Sequence, residues 1–442
     1  MIRTQVCIIG AGAGGIGCAY RLIKNGIKTV VVDKNSDYGG TMTFGGVDGF
    51  EPGPTLEGLH SLLYQRMALT EKGCHVVKQT PNCNIFNRDN GECWENHSFE
   101  KFPWGLSLPG NYTYDQTLKN ASTFGTAFRL QFEPCALISA VRDVFSEYAD
   151  NLTELFGYEF LSSRRENGKI LSVTVKKNGL TEEIFADYFI DATGEIAFAR
   201  EAGCDHTIGC EGKEEYGEPC AKASKKTNGV SYCFRISKHP DPEHIDPIPE
   251  EYVSVDIEDY KNGKMKKTVS CLVEYPNGDF NVNMLPTLEG EEYFGLGSKA
   301  DLVGRARVWA YWNYWQTEKN MQGYTLTHIY DAGIREGYRL RGKYVLKEQD
   351  LRAGILRQPK IGRTVAIADH AMDIHGEIGM FNTLDLPYEI PLECTMTKEY
   401  SNLFVASHGA SFTHIAASSV RLSRTIISIG EGVGEYISEL IK

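Results

Sequence analysis

Residues 6–17 read "VCIIGAGAGGIG", and this stretch decides the fold. Four apolar residues run straight into glycines at 10, 12 and 15. That order reads as a buried parallel strand, a tight turn and the start of a helix. Gly10 permits the turn, Gly12 lets backbone amides approach a pyrophosphate, and Gly15 lets the helix pack close to the sheet. The helix start offers unpaired N–H groups and a partial positive charge to phosphate. Residues 14–25 continue as a helix, with Ile16, Ala19, Tyr20 and Ile23 on one face. A second buried strand, "KTVVVDK" at 28–34, ends on Asp33, where an acid would hydrogen-bond a ribose hydroxyl. The chain is therefore expected to bind a dinucleotide, and this unit alone leaves NAD and FAD both open.

Bulk properties exclude several classes. The chain has 442 residues, 42% hydrophobic and 24% charged, which is the composition of a globular protein. At about 150 residues per domain, that length suggests two or three lobes, or one large nested domain. A net charge of −12 without a basic stripe argues against nucleic acid as a partner. No apolar run approaches about 18 residues, so no membrane span is expected. The first apolar segment enters the glycine turn directly, as a strand does and a secretory signal does not. The 12 cysteines include no Cys-x-x-Cys pair. Cys74, Cys83 and Cys93 are too evenly spread for zinc or an iron–sulfur cluster, so no metal is expected. Scattered thiols fit a reduced, cytoplasmic setting, and the sequons at Asn96, Asn111, Asn120 and Asn151 are then chance matches.

Further along, "DYGGTMTFGG" at 37–46 is a glycine-rich loop and residues 55–71 read as a helix. Residues 75–133 are polar, aromatic and without a clear period, as an insertion would be. A helix is expected over 135–155, followed by an alternating antiparallel meander with turns at two Asn-Gly pairs, ending in "YFIDATG". From about 206 to 330 the character changes. "SYCFRIS", "YVSVDIE" and "TVSCLVEYPNGDFNVNML" read as strands, and 299–319 as a helix whose aromatic residues are core. The C-terminus, "NLFVASHGASFTHIAASSVRLSRTIISIGEGVGEYISELIK", reads as a strand followed by one long helix.

The stretches "GAGAGG", "DYGGTMTFGG", "DATGE", "REGYRLRG", "DIH", "YEIP" and "NLFVASHGASFTHIAASSVR" together resemble the FAD-dependent oxidoreductases with a glutathione-reductase-like FAD domain. Within these, the subgroup related to heterodisulfide reductase A-type flavoproteins is the most similar. The resemblance frames residues 6–421, while 75–133 and 206–325 match only loosely. It implies an α/β fold, in which a Rossmann-like FAD-binding domain (a parallel sheet plus a small antiparallel meander) carries an inserted β-rich α+β substrate lobe. The FAD domain would comprise 1–74, 135–205 and 335–442, with an insertion or cap at 75–134 and the substrate lobe at 206–334. FAD would lie against Gly10, Gly12, Gly14 and Gly15, with its adenosine ribose at Asp33 beside Lys34. Gly40 and Thr41 would follow the pyrophosphate and ribityl chain, and Ala192, Thr193 and Gly194 the adenine half. Ser411, His414 and Ile415 would meet the flavin, where a helix start stabilises charge near N1. No second G-x-G-x-x-G unit and no Cys-x₄-Cys pair is present, against a pyridine-nucleotide disulfide reductase. No cysteine set supports the iron–sulfur clusters of the heterodisulfide-type relatives.

Flavins supply the redox chemistry, and the protein adds a proton relay and an anchor. His375, in "AMDIHGEIG", is the favoured acid/base. Arg335 and Arg339 share one face if "REGYRLRG" is a strand, with Arg341, and a guanidinium there could hold a carboxylate. His414, at a helix start, is expected to be neutral near pH 7, and His408 is a weaker version of the same case. Arg421 lies near the cavity or binds an internal acid, and Tyr388 is a candidate acid. The expected reaction moves hydride between a small polar metabolite (hydroxylated, sugar-like or carboxylate) and flavin N5. Oxygen, a second substrate or an electron-carrier protein would reoxidise the cofactor. Two alternatives stand: a fumarate-reductase-like enzyme acting on a carboxylate through its arginines, and a flavin-carrying electron-transfer subunit with no substrate of its own. The oligomeric state is not legible in the sequence.

Overall fold

A computed structural model of the chain describes residues 1–51, 58–79 and 127–442. Its centre is a five-stranded, wholly parallel sheet. The order is Leu403–Val405, Tyr188–Asp191, Val6–Ile9, Thr29–Asp33, Leu152–Phe156. Val6–Ile9 is buried along its whole length, as a strand covered on both faces requires. Leu152–Phe156 corrects the sequence reading. The helix expected to reach 155 stops at Ser146, and a short 3₁₀ turn leads into a fifth parallel strand beside Thr29–Asp33. Half-exposed at the sheet edge, this strand lacks the apolar run that marks its buried neighbours.

The meander follows as expected: Glu159–Glu166, Lys169–Lys177 and Leu180–Phe185 pair antiparallel. Both of its turns are Asn-Gly with positive φ at each residue (Asn167 49°, Gly168 71°; Asn178 51°, Gly179 83°). That is the hairpin geometry whose twist matches the flanking strands.

Residues 230–333 hold a second core beneath the four-stranded sheet Val269–Glu274, Phe280–Leu285, Ser231–Lys238, Tyr324–Gly333. Helix Ala300–Glu318 packs on it and buries Tyr311, Trp312 and Trp315. "YVSVDIE" is no strand: Glu250–Val253 is a helical turn, and the residues after it stay outside the sheet. Cys74–Gln79 and Ala127–Phe132 pair with each other, and Gly49–Phe50 joins them. This small sheet straddles the expected boundary at 74/75. The rest of the expected insertion, 80–126, lies outside the described residues.

The C-terminus contains two helices, His414–Val420 and Ser423–Ile441, where one was expected. Leu422 between them is extended (φ −63°, ψ 136°). The second helix packs directly on Ala13–Lys24 through glycines. A Cβ on Gly17 would stand 2.2 Å from Ile427 O, and one on Gly430 2.2 Å from Gly14 O. Arg21 donates to Glu431 (3.2 Å) and Asn25 to Glu435 (3.1 Å) across the same seam. The last helix is thereby fixed beside the N-terminal turn.

Candidate functional site

A cleft of ≈ 490 Å³ opens at the C-terminal ends of the parallel strands, where ligands of such sheets bind. Gly10, Gly12 and Gly14 line one wall, and Asp33 and Lys34 stand at the next strand end. Gly40 and Thr41 approach from the following loop, and Ala192, Thr193 and Gly194 from beyond Asp191. Gly15 faces inward, where its Cβ would stand 1.9 Å from Gly10 O. Gly10 has φ +106° and sits against Ala192, whose carbonyl oxygen a Cβ would meet at 2.6 Å.

Gly12 differs from these. A Cβ there would meet only the Gly40 Cα, at 4.0 Å. Gly12 is also the N-cap of Ala13–Lys24, with no side-chain cap and no acid in the first turn. Backbone donors at a helix start, above open space, suit a pyrophosphate. Ala11 N–H donates to Asp33 Oδ2 (2.6 Å) and Asn35 N–H to Oδ1 (2.7 Å), which fixes this carboxylate at the cleft edge. Asp191, pushed up to about 6 by burial, accepts from Thr193 N–H, the Thr193 hydroxyl and Ala199 N–H. Those bonds shape the 192–194 turn. Glu195, which the sequence reading passed over, also lines the cleft, and burial pushes its carboxyl up to about 7.

Ser407, His408, Arg421, Ser423 and Ile426 close the far end. Ser411, His414 and Ile415, expected there, line no described cavity, because the break at Leu422 gives that position to the start of the second helix. The Ser411 hydroxyl accepts from Gly342 N–H (2.9 Å), and Ile415 packs into the main core. His414 Nδ1 lies 2.8 Å from Glu336. Burial opposes the ring's charge, but the Glu336 carboxylate outweighs burial and raises the ring to about 10. The expected neutral histidine is therefore a protonated one: a buried carboxylate in contact acts more strongly than a helix start.

A second chamber of ≈ 210 Å³ adjoins the cleft and shares Thr41, Ile334, His408, Arg421 and Ser423 with it. His375 and Arg335 both line it, as do Arg129, His370, Asp373 and Arg424. Asp373 lies two residues before His375, at the hairpin strand Met372–Ile374. His375 Nε2 lies 2.9 Å from Asp373 Oδ2, which also accepts from Arg421 at 3.0 Å. Asn228 Oδ1 accepts the His375 N–H at 2.9 Å and fixes the backbone. Burial lowers the His375 pKa, and Arg335 and Arg421 add to that against the pull of Asp373. Asp373 itself is held down to about 2 by the His375 hydrogen bond and by Arg421, against burial that raises it. A neutral ring donating Nε2–H to Asp373 keeps a lone pair on Nδ1. Burial holds the His408 ring down to about 4, and its Nε2 has no partner among the described residues. Arg421 thus both reaches the cavities and binds an internal acid.

Arg339 and Tyr388 are placed elsewhere. Only Arg339–Leu340 is strand, so the expected common arginine face does not form. Arg339 is wholly buried and pairs with Glu336 and with Glu211 (2.6 Å), while Arg341 pairs with Glu215 near the surface. Tyr388 is wholly buried, its hydroxyl 2.7 Å from Ser419 Oγ. Of the residues missed, Asp373 carried a signal, its i, i+2 spacing to His375. Arg129 lay in a stretch without period and carried none.

The parallel sheet and the glycine cradle at its strand ends define a dinucleotide-binding protein. Residues 5–440 match the family described as FAD dependent oxidoreductase, and the chain belongs to that family. Its cofactor is FAD, and the glycine cradle fits the pyrophosphate of that group. Phytoene desaturase of Fusarium fujikuroi is 36% identical over 95 residues, 20% of this chain and 17% of that protein. The small chain of glutamate synthase [NADPH] of Halomonas elongata is 56% identical over 41 residues, 9% of each protein. The chain thus spans under a fifth of the length of these relatives. Among solved structures, a geranylgeranyl bacteriochlorophyll reductase-like protein from Thermoplasma acidophilum is similar at 12% identity (TM-score 0.46, 100% of this chain and 79% of that one). Aklavinone-11 hydroxylase with FAD and aklavinone is similar at 10% identity (TM-score 0.48, 99% and 62%). Among the described residues, no helix is long and apolar enough to cross a membrane.

Proposed function

We propose that the protein transfers hydride between a small polar metabolite and the flavin, with His375 exchanging the substrate proton. One observation carries this reading: a chamber containing His375 adjoins the nucleotide cleft and shares five lining residues with it. FAD, when bound, supplies the hydride chemistry at N5. The cleft residues named above, Gly10 to Gly14, Asp33, Lys34, Gly40, Thr41 and 192–194, would hold it. Ser423 and Ile426 bring a helix start without a side-chain cap or acid to the far end of the cleft, which favours developing negative charge there. Asp373 orients His375, and the neutral ring accepts a proton on Nδ1 in the oxidative direction.

The kinship to heterodisulfide reductase A-type flavoproteins belongs to this reading through the motifs alone. Reoxidation by oxygen, a second substrate or an electron-carrier protein remains part of the proposal. The arginines of the chamber also suit the fumarate-reductase-like alternative. Loss of turnover in Arg335→Ala with His375→Ala unaffected would favour it. A chamber lined by His375, Asp373 and arginines beside the cleft supports a substrate site over a flavin carrier without a substrate. The deciding experiment is His375→Gln. We expect FAD retention with turnover slowed about 10²- to 10⁴-fold. Unchanged turnover with FAD bound would remove His375 from the reaction.

A further inference from the structure

Among the described residues four arginines line the chamber, and their partners differ. Arg421 has Asp373 at 3.0 Å. Arg129 faces the buried Asp48, and Arg424 faces Asp369. Among the described residues, the hydrogen-bond acceptors of Arg335 are all neutral: Gly229 O (3.1 Å), Ser231 Oγ (2.7 Å) and Asn283 Oδ1 (3.3 Å). Arg335 and Arg421 are also close enough to repel, and Asp373 is the carboxylate they share. Among the described residues, Glu51 is the other carboxylate lining the chamber, and it lies 3.5 Å from His370. At the His375 end Arg335 and Arg421 face Asp373, two guanidiniums to one carboxylate, a local surplus of one positive charge. A half-buried cation without a carboxylate partner is poorly compensated, and a guanidinium favours a carboxylate in a two-pronged contact.

From this arrangement we infer that the chamber takes a 2-hydroxy monocarboxylate, its carboxylate on Arg335 and Arg421 and its hydroxyl toward His375. The inference rests on the function proposed above. A monoanion cancels the local surplus, whereas a zwitterionic amino acid leaves it in place and brings an ammonium toward two guanidiniums. Arg421 (3.0 Å) and His375 (2.9 Å) both meet Asp373 Oδ2, so a carboxylate on the guanidinium and a hydroxyl at the ring sit at neighbouring positions, as they do in a 2-hydroxy acid. Oxidation breaks the C2–H bond, whose hydrogen and electron pair leave as hydride to FAD. It also breaks the O–H bond, whose proton goes to His375. The substrate becomes a 2-oxo acid and FAD gains two electrons.

The test uses the FAD-loaded protein and 2-hydroxyisobutyrate, which has no C2 hydrogen and cannot be oxidised. Its binding is followed by calorimetry and compared with that of the neutral amide and of 2-aminoisobutyrate. We expect the hydroxy acid to bind at least tenfold more tightly than either, and Arg335→Met to weaken it at least tenfold. Equal binding of the amide to wild-type protein overturns the inference, and this comparison stands even where Arg335→Met does not fold. Unweakened binding by a folded, FAD-loaded Arg335→Met also overturns it. Absent hydroxy-acid binding with His375-dependent flavin reduction by another substrate would reject the substrate class alone. Hydroxy-acid binding with His375-independent turnover would reject only the proton role.

Discussion

Gly12→Ala and Gly14→Ala change one hydrogen to a methyl group two residues apart, and the structure predicts opposite consequences. At Gly12 the new Cβ meets nothing of the protein nearer than the Gly40 Cα at 4.0 Å. The backbone there, φ −76° and ψ −165°, is open to alanine. The apoprotein should fold normally, while the methyl group occupies the approach to the pyrophosphate. Overpacking of this kind costs about 1–3 kcal/mol. At about 1.4 kcal/mol per factor of ten, FAD should bind roughly 5- to 150-fold more weakly. At Gly14 the Cβ would stand 1.6 Å from Ala406 O. That carbonyl cannot retreat, because Ala406 N–H is bonded to Asp191 O (2.8 Å) at the end of the central sheet. The helix must shift, and the clash should outweigh alanine's helix preference of about 1 kcal/mol. Titration of apoprotein with FAD and thermal denaturation without FAD separate the two effects. Wild-type affinity in Gly12→Ala, or apoprotein stability lost there as fully as in Gly14→Ala, would refute the reasoning.

Three further outcomes follow from the same geometry. Asp373→Asn removes the charge that favours a protonated His375. The acid limb of the pH–rate profile should move to lower pH, and turnover should fall roughly tenfold or more as the ring loses its orientation; a profile unmoved would detach Asp373 from the reaction. Tyr388→Phe loses the Ser419 bond and should cost about 1 kcal/mol of stability without slowing turnover, and a slowed reaction would return Tyr388 to the site. His414 is raised from 6.5 to about 10 by Glu336 against burial. A raised group stabilises fully below its unfolded value and loses that contribution as pH climbs through its folded value. The stability lost in His414→Gln, on the order of 3 kcal/mol near neutral pH, should therefore shrink between pH 6.5 and about 10. Measured by denaturation at several pH values, a constant difference would mean the ring is not charged in the fold.

Residues 6–33 are legible because each signal is local: strand, glycine turn, helix and acid follow one another without a gap, whereas the short strand Gly49–Phe50 carries no such signal. The meander was legible for the same reason, its two Asn-Gly turns bracketing alternating strands. The site behind them was not local. Leu152–Phe156 was hidden because an edge strand carries no continuous apolar run, and its pairing partner lies more than 100 residues away in the chain. The break at Leu422 carries neither glycine nor proline, so two helices read as one, and His414 was put where Ser423 stands. Spacing alone makes the arginines period-two neighbours, but their surroundings separate them. Arg339 is consumed by Glu211 and Glu336, acids 128 and 3 residues away, while Arg335 enters the chamber with neutral partners. Counter-ions brought by distant segments decide which arginine is free to bind, and periodicity does not report them.

Anaerobic mixing of the FAD-loaded protein with 2-hydroxy acids, neutral sugars and amines, followed by the flavin absorbance band, tests the central claim most directly. The account predicts that a 2-hydroxy acid bleaches the band in wild-type protein and that neutral sugars and amines do not. It also predicts that His375→Gln, with FAD still bound, bleaches far more slowly. Bleaching by the same substrate at the same rate in both proteins would place the reaction outside the chamber that Arg335, Asp373 and His375 line.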